Sequence, residues 1–105
     1  MKIWIDDVRP APIDYVWCHT VNEAKSKILA YECLKELGFL DMDIELIDLD
    51  HDAGDFVNEG GDYIRILDWL EETGRNYPIR IHSMNPVGVA NMRRIIEKNG
   101  WKEIK

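Results

Sequence analysis

Ile44-Glu45-Leu46-Ile47-Asp48-Leu49-Asp50-His51-Asp52-Ala53-Gly54-Asp55 changes character halfway along. Ile44 to Asp50 has the short, largely apolar make-up of a buried strand, but its carboxylates crowd toward the C-terminal end and run on into an acidic loop. Two other segments follow the same plan. Lys2-Ile3-Trp4-Ile5 is an apolar run that stops at Asp6-Asp7 and then meets Arg9-Pro10-Ala11-Pro12, which neither a helix interior nor a central strand would carry. The predicted strand Pro78-Ile79-Arg80-Ile81-His82-Ser83 ends on polar residues too, with Asn85 just beyond. Polar chemistry therefore collects at the carboxyl ends of predicted strands, where open parallel sheets hold their ligands.

The segments between these strands read as helices with their own signals. Thr20-Val21-Asn22-Glu23 has the Thr-x-x-Glu spacing of a capping box, and Ala24, Ile28, Leu29, Leu34 and Leu37 follow near helical spacing until Gly38. Gly60-Gly61 breaks the chain before a second helical pattern, Asp62 to Leu70, which ends near Gly74. Asn85-Pro86 opens a third, with Asn as the cap and Pro at the first helical position, and Gly100 closes it. Tyr15-Val16-Trp17-Cys18 is a further β-prone stretch, and Trp101 to Lys105 reads as a short fifth edge strand. The order β, β, α, β, α, β, α, β predicts an α/β sandwich with a largely parallel sheet. The first two strands are joined by only about eight residues, fewer than the dozen or more of a helical crossover, so the first helix is vestigial or the second strand an unusual edge.

The 105 residues, 46% hydrophobic and 31% charged, suit one domain spanning residues 1–105 and exclude a two-domain enzyme. Thirteen Lys and Arg against 20 Asp and Glu give a net charge of -7, which repels nucleic-acid backbones and anionic lipid at long range. Duplex nucleic acid and membrane surfaces are therefore not expected partners, whereas a small phosphate ligand needs only a few aimed N–H groups and basic side chains. Cys18 and Cys33, with no CxxC pattern, argue against a disulfide scaffold or structural zinc and make a reducing cytoplasm the default. The N-terminal apolar run stops too early for a signal-peptide core or a membrane span.

Three carboxylates brought together at Asp6, Asp7 and Asp50 would repel unless Arg9 or a cation neutralised them, and magnesium suits such an oxygen site. His51 and His82, at the ends of predicted strands and beside carboxylates, read as an acid/base pair. Ser83 and the backbone N–H groups after Asn85 offer an anion site at a helix N-terminus. His19 is a weaker candidate at the second strand's end. Trp4, Trp17, Trp69 and Trp101 read as core, and the outer members of the acidic run from Asp41 to Asp62 as solvated.

Asp6-Asp7, Asp50 and Ser83 resemble the magnesium-binding pair, phosphoacceptor and sensing hydroxyl of response-regulator receiver domains. The receiver's Lys before a Pro has no counterpart, since neither Lys102 nor Lys105 precedes a Pro. A fuller resemblance is carried by Trp4 to Pro12, by Leu49-Asp50-His51-Asp52-Ala53-Gly54, and by His82-Ser83-Met84-Asn85-Pro86-Val87-Gly88 with Asn91-Met92 after it. These runs are similar to the cyclic-phosphate processing receiver-like family. The resemblance implies a receiver-like, flavodoxin-like three-layer sandwich with a mostly parallel five-stranded sheet and a degenerate first helix.

It also implies a cytoplasmic phosphoesterase, a cyclic phosphodiesterase acting on a nucleotide or RNA terminus. In that reading His51 and His82 are the acid/base pair, Asp50 and Asp52 orient them, and Arg9, Ser83 and Asn85 contact phosphate. Asp6, Asp7 and Asp50 hold magnesium if it takes part. Two readings of other classes stand beside it. One is an atypical signalling receiver with Asp50 as phosphoacceptor. The other is an interaction module with a vestigial site and an unknown protein partner.

Overall fold

The computed structural model describes residues 1–105. Four short strands, β1 (Lys2–Ile5), β2 (Tyr15–Cys18), β3 (Leu46–Leu49) and β4 (Ile79–Ile81), pair in the order β2-β1-β3-β4, every pair parallel. Three helices, α1 (Val21–Glu36), α2 (Ile64–Glu72) and α3 (Pro86–Asn99), connect or follow them, and a single 3-10 turn lies at Gly54–Phe56. The helix starts use the predicted caps. Thr20 accepts from the N–H of Glu23 at 2.9 Å, and Asn85 accepts from the N–H of Gly88 at 3.0 Å. At the other end of α3, Gly100 takes the left-handed conformation, φ 67°, which costs a glycine little.

Strand register sorts the side chains by parity. Ile3 lies beside Val16 and Ile47, Ile5 beside Cys18 and Leu49, and Ile47 beside Ile79. These residues form one core with Ala24 and Ile28 of α1, Ile66, Leu67 and Leu70 of α2, and Met92 and Ile96 of α3. All three helices therefore cover the same face of the sheet. The alternate residues, Lys2, Trp4, Tyr15, Trp17, Leu46, Asp48 and Arg80, point to the other face and take no part in that core.

Two layers thus replace the expected three. The reason lies in the first connection, where residues 6–14 hold no helix. They return across the second face in turns and extended chain, held where the Trp4 indole N–H donates to the carbonyl of Arg9 and the Trp17 indole N–H to the carbonyl of Asp6, at 2.9 and 2.8 Å. Pro10 and Pro12 suit such a path and no helix interior.

The expected fifth strand is also reduced. Ile79 exchanges backbone bonds with Lys102 and Ile104, giving one parallel bridge to Glu103 and no further ladder. No helix is long and apolar enough to cross a membrane.

Candidate active site

The side-chain alternation that leaves one sheet face without helices also builds the site. Trp4, Asp48 and Arg80 lie side by side in register, and two residues further along the same strands stand Asp6, Asp50 and His82. The polar cluster is therefore the carboxyl end of the helix-free face.

Asp6 directly follows β1 and is fully buried. Its Oδ1 accepts from the N–H groups of Val8 and Arg9 at 2.9 and 2.8 Å, a turn that carries Asp7 forward over the sheet. Its Oδ2 meets His82 Nε2 at 2.9 Å. The other ring nitrogen, Nδ1, meets Oδ1 of the fully buried Asp48 at 2.7 Å, and Asp48 Oδ2 takes Arg80 at 3.3 Å. The His82 ring also stacks on the Trp4 indole, 3.8 Å between centroids and 3° between planes, and its side chain is only 7% exposed. Each ring nitrogen thus faces a carboxylate oxygen at hydrogen-bond distance, and the ring is held between two buried acids. Burial acts to raise the Asp6 carboxyl, but the two N–H groups and His82 outweigh it and hold the carboxyl below the usual aspartate value.

His51 stands differently. Its backbone N–H donates to Asp50 Oδ1 at 2.8 Å, and its Nδ1 lies 2.9 Å from Asp52 Oδ1. Its Nε2 makes no hydrogen bond within the protein, and the side chain is 15% exposed. Asn85 joins this pair to α3, because its Oδ1 caps the helix while its Nδ2 donates to Asp52 Oδ2 at 3.4 Å. The Ser83 hydroxyl accepts from the N–H of Asn85 at 3.1 Å, and Arg9 reaches the carbonyl of His82 at 3.3 Å.

Asp6, Asp50 and His82 each bring a donor atom within 4.8 Å of the others, the one grouping able to hold a metal ion. Asp7, expected beside Asp6 and Asp50, is not in that triplet. Burial pushes its carboxyl up, and the charges of Asp6 and Asp50 add to the rise. A divalent cation would relieve that repulsion, and the oxygens of Asp6, Asp7 and Asp50 suit a hard ion such as magnesium.

Residues the sequence patterns do not single out complete the arrangement. Asp48 holds His82, and Trp4 stacks on it. Gly88 lies under the His51 ring, where a Cβ would sit 2.5 Å from the ring's Cγ. Gly54, at φ 57°, lies against the Asp7 carboxylate with no room for a side chain. A carboxylate inside an otherwise apolar predicted strand was the readable signal for Asp48, since a buried charge demands a partner. A glycine in the first turn of a helix, where it costs stability, was the signal for Gly88. His19 lies apart from the cluster, stacked on Trp17 at 4.4 Å with its carbonyl accepting from the Tyr63 hydroxyl at 2.7 Å.

No curated protein and no solved structure matches the chain. A family model described as the cyclic-phosphate processing receiver domain matches residues 1–98, a span that takes in all four strands, the whole acidic cluster and nearly all of α3. With its strands, the carboxylate cluster and both His51 and His82 inside that span, the chain belongs to the cyclic-phosphate processing receiver domain family.

Proposed function

We propose that the protein is a phosphoesterase that opens a cyclic phosphate on a nucleotide or an RNA terminus. The observation that carries this reading is His51, which has one ring nitrogen fixed on Asp52 and the other without a protein partner, and whose backbone N–H is held by Asp50. In such an arrangement the carboxylate sets the tautomer and the free nitrogen exchanges protons with substrate or water.

In the proposed reaction a water is the nucleophile. His51 Nε2 takes its proton as the oxygen bonds to phosphorus, the ring P–O bond breaks in line, the released oxygen takes a proton from solvent water on its own side, and His51 returns its proton to solvent. Asp52 steadies the imidazolium formed in between, and Asn85 steadies Asp52. Arg9, Ser83 and the N-terminal end of α3 offset charge on the phosphate oxygens. Magnesium held by Asp6, Asp7 and Asp50 would add positive charge at the same oxygens. His82, engaged on both nitrogens, serves here as a positioning residue that fixes Asp6, in place of the acid/base partnership with His51 expected from its position in the sequence.

The test is phosphorus NMR of 2′,3′-cyclic nucleotides with the protein, with and without magnesium, beside His51→Ala and His82→Ala. Conversion to a monoester that His51→Ala abolishes is the expected result. No conversion by folded wild-type protein overturns the reading.

The phosphoacceptor alternative rests on Asp50, which ends β3 and gives one oxygen to the N–H of His51. Covalent label from a small phosphoryl donor on wild type and not on Asp50→Asn would favour it.

A further inference from the structure

Ser83, at the edge of the site, also lines a cleft along the side of α3. The cleft's volume is about 450 Å³, and it is lined by Ser83, Met84, Pro86, Val89, Ala90 and Arg93. Pro86, Val89, Ala90 and Arg93 follow helical spacing and share one face of α3, distinct from the face that buries Gly88, Met92 and Ile96. Ser83 is the hinge between the two regions. It lines the cleft, and its hydroxyl holds the N–H of Asn85, whose side chain in turn reaches Asp52.

The lining is unusual for this chain. In a protein of net charge -7 the cleft contains no carboxylate of its own. Met84 is 82% exposed at its rim, a large apolar side chain left facing solvent next to a polar site. The one charged group is Arg93. Its guanidinium is held by Glu103, with Nε 3.0 Å from each carboxylate oxygen and Nη2 2.7 Å from Oε2. That pairing fixes the plane of the fork and leaves Nη1 and the flat face of the group uncommitted.

Apolar walls plus one fixed guanidinium plane are the chemistry that takes a flat aromatic ring carrying polar edges. We infer that this cleft holds the nucleobase of the nucleotide whose cyclic phosphate lies at His51. The inference rests on the phosphoesterase reading for the position of the phosphate, and it names the part of the substrate that reading leaves open. A base seated there stacks on Arg93 and covers Met84, while Ser83 marks the passage from base to phosphate. Contact through a stacked plane tolerates every base, so purine and pyrimidine nucleotides are both substrates.

The test compares a 2′,3′-cyclic nucleotide with the methyl riboside 2′,3′-cyclic phosphate, which lacks the base, in wild type and in Ala90→Phe. Ala90 is exposed, so the larger side chain fills the cleft without entering the core. Wild type is expected to favour the nucleotide at least tenfold in kcat/KM. Ala90→Phe is expected to erase that preference through KM, leaving the base-free substrate unchanged. Equal turnover of both substrates by wild type overturns the inference, as does a preference that survives Ala90→Phe, or a change of oligomeric state that accounts for the loss.

Turnover of neither substrate would be the failure of the phosphoesterase reading. The cleft is then judged by amide shifts on adding adenosine 3′-monophosphate. Shifts of Val89 and Ala90 that Ala90→Phe removes support a base site, and their absence overturns it.

Discussion

His51 and His82 stand at the ends of neighbouring strands, each beside carboxylates, and in the folded chain they have opposite circumstances. His82 has an acid on each nitrogen, an indole against its face and almost no exposure. His51 has an acid on one nitrogen, a glycine beneath it and the other nitrogen unclaimed. The difference follows from where the two rings leave the chain. His82 continues the alternation of β4 and turns down onto the helix-free face, where Asp48 and Trp4 already lie in register. His51 falls one residue past Asp50, out of that alternation, and its ring turns toward the start of α3. One position in the parity of a strand thus separates a histidine that holds two buried acids together from one whose second ring nitrogen is unclaimed.

The sharpest way to break this contrast is to remove each ring in turn. His82→Ala leaves two buried carboxylates, Asp6 and Asp48, without their shared hydrogen-bond partner, and breaking a buried polar pair in this way costs about 3–5 kcal/mol. Urea unfolding of the variant should show an unfolding free energy lower by that amount, read as a lower midpoint at unchanged slope, and a midpoint equal to wild type would mean that the network carries no stability. His51→Ala should reverse the pattern. Its ring bonds one exposed carboxylate and leaves no buried charge behind when removed, so stability falls by only about 1 kcal/mol, while turnover of a cyclic phosphate falls by about 10²–10⁴. A His51 variant that unfolds as readily as the His82 variant would erase the distinction.

Much of this contrast was legible in the sequence, though unevenly. The acidic ends of β1 and β3, the Asn85-Pro86 helix start and the parallel α/β order all come from local patterns whose physics is local: caps, prolines and short apolar runs. The pairing of His82 with Asp6 and Asp48 is not local, because it joins residues 76 and 34 positions apart. Only the register of β1, β3 and β4 brings them together, and no spacing along the chain encodes that register. The missing third layer escaped for a related reason. The short first connection raised the question of a vestigial helix, but whether a face lacks helices depends on how the remaining helices distribute, and α1, α2 and α3 all pack on one side.

The middle of the scale is a glycine. Gly88→Ala places a methyl group inside the His51 ring's space, so ring or helix must shift. Overpacking of this kind costs about 1–3 kcal/mol, here offset in part by alanine's better helix propensity, about 1 kcal/mol. The expected net is a stability change near zero to about 2 kcal/mol, with activity lost far beyond it because the ring is displaced from Asp52. Activity that merely tracks stability would mean that the position of His51 is not what Gly88 protects.

Acid gives the smallest effect and separates the site from ordinary ionic packing. Glu32 on α1 takes a bidentate pair from Arg75, with Nε at 3.1 and 3.0 Å and Nη2 at 2.8 Å, and also accepts from the Tyr77 hydroxyl. The Arg75 guanidinium holds its carboxyl below the usual glutamate value against the opposing effect of burial, with Tyr77 adding to the lowering. A carboxyl depressed on folding stabilises above its unfolded pKa, about 4.3, and that contribution is lost as pH falls through the lower folded value. Glu32→Gln should therefore cost about 1 kcal/mol at neutral pH and flatten the loss of stability below pH ~4.3. The decline attributable to Glu32 should be the same in wild type and in His51→Ala, because the pair lies on the helix side of the sheet and shares no partner with His51. If His51→Ala changed that slope, the two networks would be coupled through the core, and the separation between a site built on one sheet face and a fold stabilised from the other would fail.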